Sequence, residues 1–220
     1  MRQNNRMRID HVSYATSHDQ ISDVVQRIGS LIGTAFVDGG IHPRFGTRNF
    51  TAPLVDRRYL EVVCPLDHPS VETSAFGRAV SRKVTEGGGW LSWVISVENL
   101  NLIEDRLGRQ SINGHRKKPD GTEVFWKQIG INDLMTDAQL PFFIEWLSEK
   151  HPSSDGVAHS RLRSINLIGL ADNLSNHLGC AVPAELDGIR VQISNQSDEY
   201  VSKGIQSIEF DTPNGTITID

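Results

Sequence analysis

The sequence predicts an α+β fold built from paired βαβββ modules, followed by a β-rich C-terminal extension. The same order of strand-like and helix-like segments occurs at 8–66 and again at 90–148. Near the end of each module, apolar residues surround one glutamate and a His-Pro pair follows, in RRYLEVVCPLDHP (57–69) and LPFFIEWLSEKHP (140–152). The repeat indicates two similar halves that direct carboxylates into one shared site.

The first module begins with an alternating strand, RIDHVSYAT (8–16). A helix is expected next because apolar residues recur at the spacing of one buried helical face, and Gly33 is a typical stop signal. These apolar residues are Ile21, Val24, Val25, Ile28, Leu31 and Ile32. Three strands complete the module: TAFVDGGI (34–41), GTRNFTAPLV (46–55) and RRYLEVV (57–63).

The second module follows Gly87-Gly88-Gly89, a flexible joint after a linking helix at 71–84. Its first strand is GWLSWVISV (89–97), and Asn99 is a candidate cap for the helix after it. The remaining strands are SINGHR (111–116), TEVFWKQIG (122–130) and LPFFIEW (140–146).

The paired modules define a predicted domain at 1–150, and residues 151–220 are predicted to form a partial third module packed against it. The extension reads as a strand, a short helix and three more strands, at 160–170, 171–180, 188–194, 204–212 and 215–219. Pro213-Asn214-Gly215 is a tight turn that joins the last two strands as a hairpin. We expect a structural role for this extension.

The composition is that of an ordinary globular chain. Of 220 residues, 38% are hydrophobic and 22% charged, with a net charge of −5. This balance argues against nucleic acid as a partner, because no basic stripe stands out. No apolar run approaches the ~20 residues of a membrane span, and the two cysteines lack metal-type or redox-type spacing. We therefore expect a cytoplasmic protein that contacts neither membranes nor nucleic acid.

Glu61 and Glu145 are the first candidate site residues. Each lies within an apolar strand, where a carboxylate is costly unless it is paired or bound to a cation. Aligning the modules by strand order also places His11 opposite Trp93. One imidazole and two carboxylates are a plausible ligand set for a divalent transition metal. The alternative for His11 is a hydrogen-bonded core histidine.

The segment GGIHPRFGTRN (39–49) is a second candidate. Gly39-Gly40 permits a bulge between strands. His42 and Arg44 offer cationic or proton-transferring groups, and Thr47 and Asn49 share one strand face. We expect these four residues to face the ligand, although a hairpin connection with incidental polar residues is the alternative.

Several of these segments together resemble the glyoxalase-like domain of the vicinal oxygen chelate superfamily, which includes glyoxalases, bleomycin resistance proteins and extradiol dioxygenases. They are DHVSYAT, GGIHPRFGTRN, YLEVV, KPDGTEVFWK and LPFFIEW. The resemblance covers residues 8–150 well, and many bacterial proteins carry this domain. It implies that two modules form a curved sheet around one cavity.

The resemblance also implies a metal site built from the first and fourth strands of both modules. Its ligands would be His11, Glu61 and Glu145, with Trp93 at a fourth position where indole cannot bind a metal. The implied cofactor is a divalent Zn, Ni, Mn or Fe ion. Glu61 and Glu145 would be catalytic, and the predicted substrate-binding residues are His42, Arg44, Thr47, Asn49 and Trp93.

Three functions follow as expectations. The first is a metal-dependent lyase or isomerase acting on a small oxygen-rich substrate. The second is a metal-free protein that sequesters a small molecule in an apolar pocket formed by Phe45, Trp93, Phe125 and Phe143. The third is a ring-cleaving dioxygenase, which would need His42 as a second imidazole. The oligomeric state is left open between a monomer and a homodimer.

Overall fold

The structure, a computed structural model, describes residues 6–195 and 202–220. Its first part follows the order predicted for the first module. The elements are β1 (Arg8–Ala15), α1 (Ile21–Ile32), β2 (Val37–His42), β3 (Thr47–Leu54) and β4 (Arg58–Pro65). Gly33 ends α1 with φ 63°, and its N–H donates to the carbonyl of Gly29. Ile21, Ile28 and Ile32 are buried as predicted, whereas Leu31 is 45% exposed.

The linking helix predicted at 71–84 is divided in two, α2 (Ser70–Thr73) and α3 (Ala75–Thr85). Ser74 is extended and its hydroxyl accepts from the N–H of Gly77, so it acts as the N-cap of α3. The second module then contains β5 (Gly89–Ser96), α4 (Asn101–Leu107), β6 (Ile112–Lys117), β7 (Glu123–Ile129), α5 (Ile131–Thr136) and β8 (Phe142–Trp146). The short helix α5 was not predicted.

The eight strands of the two modules form one closed barrel in the order β1-β4-β3-β2-β6-β7-β8-β5. Within each module the first strand lies parallel to the fourth, as β1 with β4 and β5 with β8. The modules meet along the antiparallel pair β1–β5 and, more briefly, at Ile41 and Lys117 of β2 and β6. The predicted fold class, paired modules curved around one cavity, is confirmed.

The extension begins like a module, with a strand and a helix, but four strands follow instead of three, and the strands pair differently. It contains β9 (Arg161–Ile168), α6 (Ala171–Leu178), β10 (Glu185–Leu186), β11 (Ile189–Ser194), β12 (Gly204–Thr212) and β13 (Gly215–Ile219). The sheet order is β10-β11-β9-β12-β13, so the first strand lies centrally, parallel to β11 and antiparallel to β12. The predicted β12–β13 hairpin is present, with Thr212 opposite Gly215.

Two apolar cores hold the molecule together. The larger core joins the outer face of the barrel, α1 and the second sheet; it includes Ile9, Leu60, Trp93, Ile165 and Phe210. The smaller core lies inside the barrel and against α3, and includes Phe45, Phe76, Val94, Trp126 and Phe142. The extension therefore shares a core with the barrel, while the domain boundary near residue 150 stays a prediction. In the described residues, no helix has the length and apolar character needed to cross a membrane.

Candidate functional site

A small cavity of about 30 Å³ lies inside the barrel, beneath α3. This volume suits one or two water-sized groups. Aromatic and aliphatic side chains form much of its wall: Phe45, Tyr59, Phe76, Trp126, Phe142, Ile144 and Trp146. Five polar side chains open on the same space, namely His11, His42, Glu61, Arg116 and Gln128. The cavity therefore combines an apolar lining with several titratable or hydrogen-bonding groups.

His11 is held in place by the neighbouring Asp10. The ring nitrogen Nδ1 lies 2.8 Å from Asp10 Oδ1, and the imidazole stacks on Tyr59 with ring centroids 4.2 Å apart. Burial raises the pKa of Asp10, but hydrogen bonds from His11 and His151 outweigh it and hold that pKa far below its ordinary value. Because an ionised carboxylate only accepts, Nδ1 of His11 carries the hydrogen and Nε2 is left for a ligand.

Asp10 is fully buried and receives three further donors. Trp146 Nε1 donates at 3.0 Å, His151 Nε2 at 3.1 Å and Arg8 Nη2 at 3.3 Å. His151 lies on the segment between the barrel and the extension, just before a short 3-10 helix at Pro152–Ser154. The carboxylate that orients His11 thus depends on both modules and on the connecting segment.

Glu61 lies on β4, next to β1, and both of its oxygens are engaged. Ser13 Oγ donates to Oε2 and Asn49 Nδ2 to Oε1, each at 2.6 Å. Burial raises the pKa of Glu61, but the charges that His11 and His42 can carry, with these two hydrogen bonds, bring it below its ordinary value. Glu61 is therefore an ionised carboxylate in a buried cavity. Asn49 contributes to the site by its hydrogen bond to Glu61.

His42 is the second imidazole of the cavity. Its Nδ1 lies 2.8 Å from Thr47 Oγ1, and this hydrogen bond fixes the orientation of the ring. Burial lowers the pKa of His42 to about 4, and the positive charge of Arg116 contributes to the shift. His42 is consequently neutral near pH 7, available for hydrogen bonding and not as a cation.

Arg116 on β6 and Gln128 on β7 are site residues that the sequence analysis missed. They are 3% and 2% exposed, and both line the cavity. Their signal lay in the two-residue period: Arg116 alternates in phase with Gly114, and Gln128 with Trp126, on strands that face the barrel interior. Once the inward face of a strand is known, a basic or an amide side chain on that face indicates a candidate site residue.

The residues 9–174 match the family model of the glyoxalase-like domain. The chain belongs to the glyoxalase-like domain family. A hypothetical protein from Staphylococcus aureus has a similar fold, with TM-score 0.62 and 15% identity, over 90% of this chain and 88% of that one. A methylmalonyl-CoA epimerase from Mycobacterium tuberculosis gives TM-score 0.43 and 16% identity, over 66% of this chain and 91% of that one. No curated protein matches the chain well enough to count as a relative.

Within this glyoxalase-like domain, Glu145 does not reach the cavity. On β1 and β4, His11 pairs with Tyr59 and Ser13 with Glu61; on β5 and β8, Val94 pairs with Phe142 and Ser96 with Ile144. The equivalent of Glu61 is therefore Ile144, which lines the cavity. Glu145 is one residue further along and points to the other face, because side chains alternate along a strand.

Glu145 has a different structural role. Its Oε2 accepts from the N–H of Leu100 at 3.0 Å, at the start of α4, and its Oε1 lies 3.9 Å from Lys127 Nζ. The negative charge of a carboxylate at this place stabilises the N-terminal end of α4, where the helix dipole is positive. The prediction that Glu61 and Glu145 converge on one ion is wrong for this arrangement.

Four further residues that were predicted to face the ligand, Trp93, Phe125, Phe143 and Arg44, also lie outside this cavity. Trp93 is fully buried on the outer side of the barrel, where Nε1 donates to the carbonyl of Gln139 at 2.9 Å, and Val94 takes the inward position equivalent to His11. Phe143 belongs to the same outer core. Phe125 is 44% exposed and borders a separate surface groove of about 490 Å³ together with Arg44. Only Phe45 of the predicted aromatic set lines the cavity.

The donor set does not fit the predicted three-residue metal centre. His11 and Glu61 face one cavity, but the second module offers Val94 and Ile144 at the equivalent positions, and neither side chain can bind a metal. Among residues 6–195 and 202–220, no group of three or more His, Cys, Asp or Glu is arranged to hold a metal ion. The first module alone supplies the acid–base groups.

Proposed function

We propose that this glyoxalase-like domain catalyses proton transfer at a carbon next to a carbonyl, as an isomerase or lyase does, on a small oxygen-rich substrate and without a three-residue metal centre. The observation that carries the proposal is the Asp10–His11 hydrogen bond beside an ionised, buried Glu61. A carboxylate–imidazole pair is a common way to hold a general base in one tautomer.

His11 is the proposed base. Since Asp10 fixes the hydrogen on Nδ1, the lone pair on Nε2 faces the cavity and accepts the substrate proton. The imidazolium that forms lies between Asp10 and Glu61, and both carboxylates stabilise its charge. Glu61 is a weak base itself, because Ser13 and Asn49 already engage its oxygens. We therefore assign it an electrostatic role.

The metal-dependent lyase or isomerase predicted from the sequence requires Glu145 as its third ligand, and this fold does not bring Glu145 to the cavity. A ring-cleaving oxygenase would use two imidazoles and a carboxylate on iron. His11, His42 and Glu61 have that composition, but the described residues do not place them as a ligand group. No step of the proposed reaction therefore passes through a metal.

A metal-free binding protein is the second candidate, favoured by the aromatic lining of the cavity. Phe45, Phe76 and Trp126 pack edge-on or tilted around His42, with ring centroids between 5.6 and 6.1 Å from it. Such a wall favours a flat or apolar ligand. In that case a ligand would bind without any exchange of its protons.

Proton exchange in D2O separates the two candidates. Hydroxyacetone and pyruvate are incubated with the protein, and the loss of their C–H signals is followed by proton NMR. We expect exchange catalysed by the wild type and slowed about 10²- to 10⁴-fold in His11→Gln, the usual range for a general base. His159→Gln, at an exposed histidine, is the matched control. Equal rates for His11→Gln and wild type would refute the base assignment.

A chelator tests the metal-independent part of the proposal. Treatment with EDTA followed by gel filtration should leave the exchange rate unchanged. A loss of exchange that Zn, Ni, Mn or Fe restores would instead support the metal-dependent function predicted from the sequence.

A further inference from the structure

Arg116 is a buried guanidinium whose hydrogen bonding is incomplete. It is 3% exposed, and Nη2 makes no hydrogen bond; the nearest carboxylate oxygen, Asp155 Oδ2, lies 3.6 Å away. Asp155 is also engaged by Lys118. One carboxylate therefore faces two cations, and the protein leaves a buried positive charge only partly compensated. Burying such a group lowers the stability of the protein unless a ligand supplies the missing hydrogen-bond acceptor.

Gln128 supplies a second buried donor without a partner. Its Oε1 accepts from Trp126 Nε1 at 2.7 Å, while Nε2 makes no hydrogen bond. Because an indole N–H can only donate, it fixes the orientation of the amide and leaves the NH2 group as the free end. Gln128 thus offers an N–H group to the cavity that Arg116 also lines.

The barrel places these donors across from the acid–base groups. In the strand order β1-β4-β3-β2-β6-β7-β8-β5, the pair β6 and β7 lies opposite the pair β1 and β4. Arg116 and Gln128 therefore occupy one wall, and His11 and Glu61 the other. An anionic group held by Arg116 and Gln128 would leave the remainder of the ligand to extend toward His11 on the opposite strands.

We infer that Arg116 and Gln128 bind a carboxylate, and that the ligand is a short 2-oxo or 2-hydroxy carboxylic acid. A guanidinium and an amide N–H match two carboxylate oxygens, and charge-assisted hydrogen bonds of this kind are strong in a buried site. The small cavity favours a short acid, and a ligand of the size of pyruvate requires the lining side chains to move apart. Proton transfer, at C3 of a 2-oxo acid or at C2 of a 2-hydroxy acid, rests on the proposed function, whereas carboxylate binding does not.

The test compares pyruvate with its neutral amide, pyruvamide, by titration calorimetry. We expect pyruvate to bind at least tenfold more tightly than pyruvamide. Arg116→Met should weaken pyruvate binding about tenfold or more, the loss expected for one buried charge-assisted contact. Gln128→Glu keeps an acceptor for Trp126 and adds a repelling charge, so it should abolish pyruvate binding even if Arg116→Met does not fold.

The controls are Arg190→Met and Gln192→Leu, at exposed positions of β11, which should bind pyruvate like the wild type. Equal affinity for pyruvate and pyruvamide, no binding of pyruvate by the wild type, or unchanged pyruvate affinity in folded Arg116→Met and Gln128→Glu would each overturn the inference. Exchange of hydroxyacetone, which has no carboxylate, reports on the proposed function separately. Tighter binding of pyruvate than of pyruvamide, without any proton exchange, would refute the proposed function and still support the carboxylate site.

Discussion

The two modules of the barrel have the same backbone plan but opposite chemistry at equivalent positions. In the first module, His11 and Tyr59 form one cross-strand pair and Ser13 and Glu61 the next. The second module has Val94 with Phe142 and Ser96 with Ile144. One module therefore supplies the base and carboxylate, while the other supplies apolar wall at those positions. The symmetry of the fold does not require symmetry of the site.

The largest expected effect comes from giving the second module the residues of the first. A protein with both Val94→His and Ile144→Glu should lose about 5 kcal/mol of stability without metal, because it buries an unpaired charge. Added Zn, Ni or Mn should restore stability, by about 2.7 kcal/mol at a hundredfold excess over Kd. Thermal unfolding with and without metal measures both. The variant Val94→His with Ile144→Gln is the control, and an equal metal response in it would contradict the assigned equivalence.

Removal of the Asp10 carboxylate tests how the first module is held together. Asp10→Asn should cost about 4 kcal/mol, since it breaks a buried charged cluster, and should also reduce proton exchange by freeing the tautomer of His11. Urea unfolding gives the stability and NMR the exchange. Asp211→Asn, on a partly exposed carboxylate paired with Arg163, should cost far less. Similar losses for the two variants would count against a special role for Asp10.

Stability should fall as the pH is lowered, because two buried histidines, His42 and His177, bind protons less readily in the folded protein than in the unfolded chain. Burial lowers the pKa of His42, inside the barrel, and of His177, in the outer core, to about 4 each. Both are below the unfolded value of about 6.5, so the unfolded chain binds more protons in this window. Through His42, lowering the pH from 6.5 to 4 therefore reduces the free energy of unfolding by on the order of 3 kcal/mol. The full contribution of His42 to stability is present above that window. Urea unfolding at several pH values should show a smaller slope for His42→Gln, and an unchanged slope would contradict this.

The smallest effect separates the two glutamates that look alike in the sequence. Glu145→Gln should cost about 1 kcal/mol or less, by weakening the start of α4, and leave proton exchange unchanged. Glu61→Gln should slow exchange at least tenfold, because it removes a charge that stabilises the imidazolium of His11. Parallel measurement of both variants decides between them. A greater loss of exchange in Glu145→Gln would place the catalytic carboxylate in the second module.

The sequence alone predicted the βαβββ order of the two modules and the family, but not the short elements α5 and β10. The strands and helices could be predicted because hydrophobic periodicity and glycine stops are local properties of the chain, as at Gly33 and along RIDHVSYAT, whereas the family followed from the resemblance of several motifs. It also found the cavity residues of the first module, His11, His42 and Glu61. These positions stand out because polar groups within apolar strands are unusual.

Tertiary structure decided which face each strand turns to the cavity. A shift of one residue moves a side chain to the opposite face of a sheet, so the apparent match of Glu145 with Glu61 failed by a single position, and Ile144 lines the site. Likewise, Asp10 meets His151 across 141 positions of sequence. The donor pair Arg116 and Gln128 faces His11 only because the barrel closes. Such contacts depend on register and closure, which are cooperative properties of the whole fold.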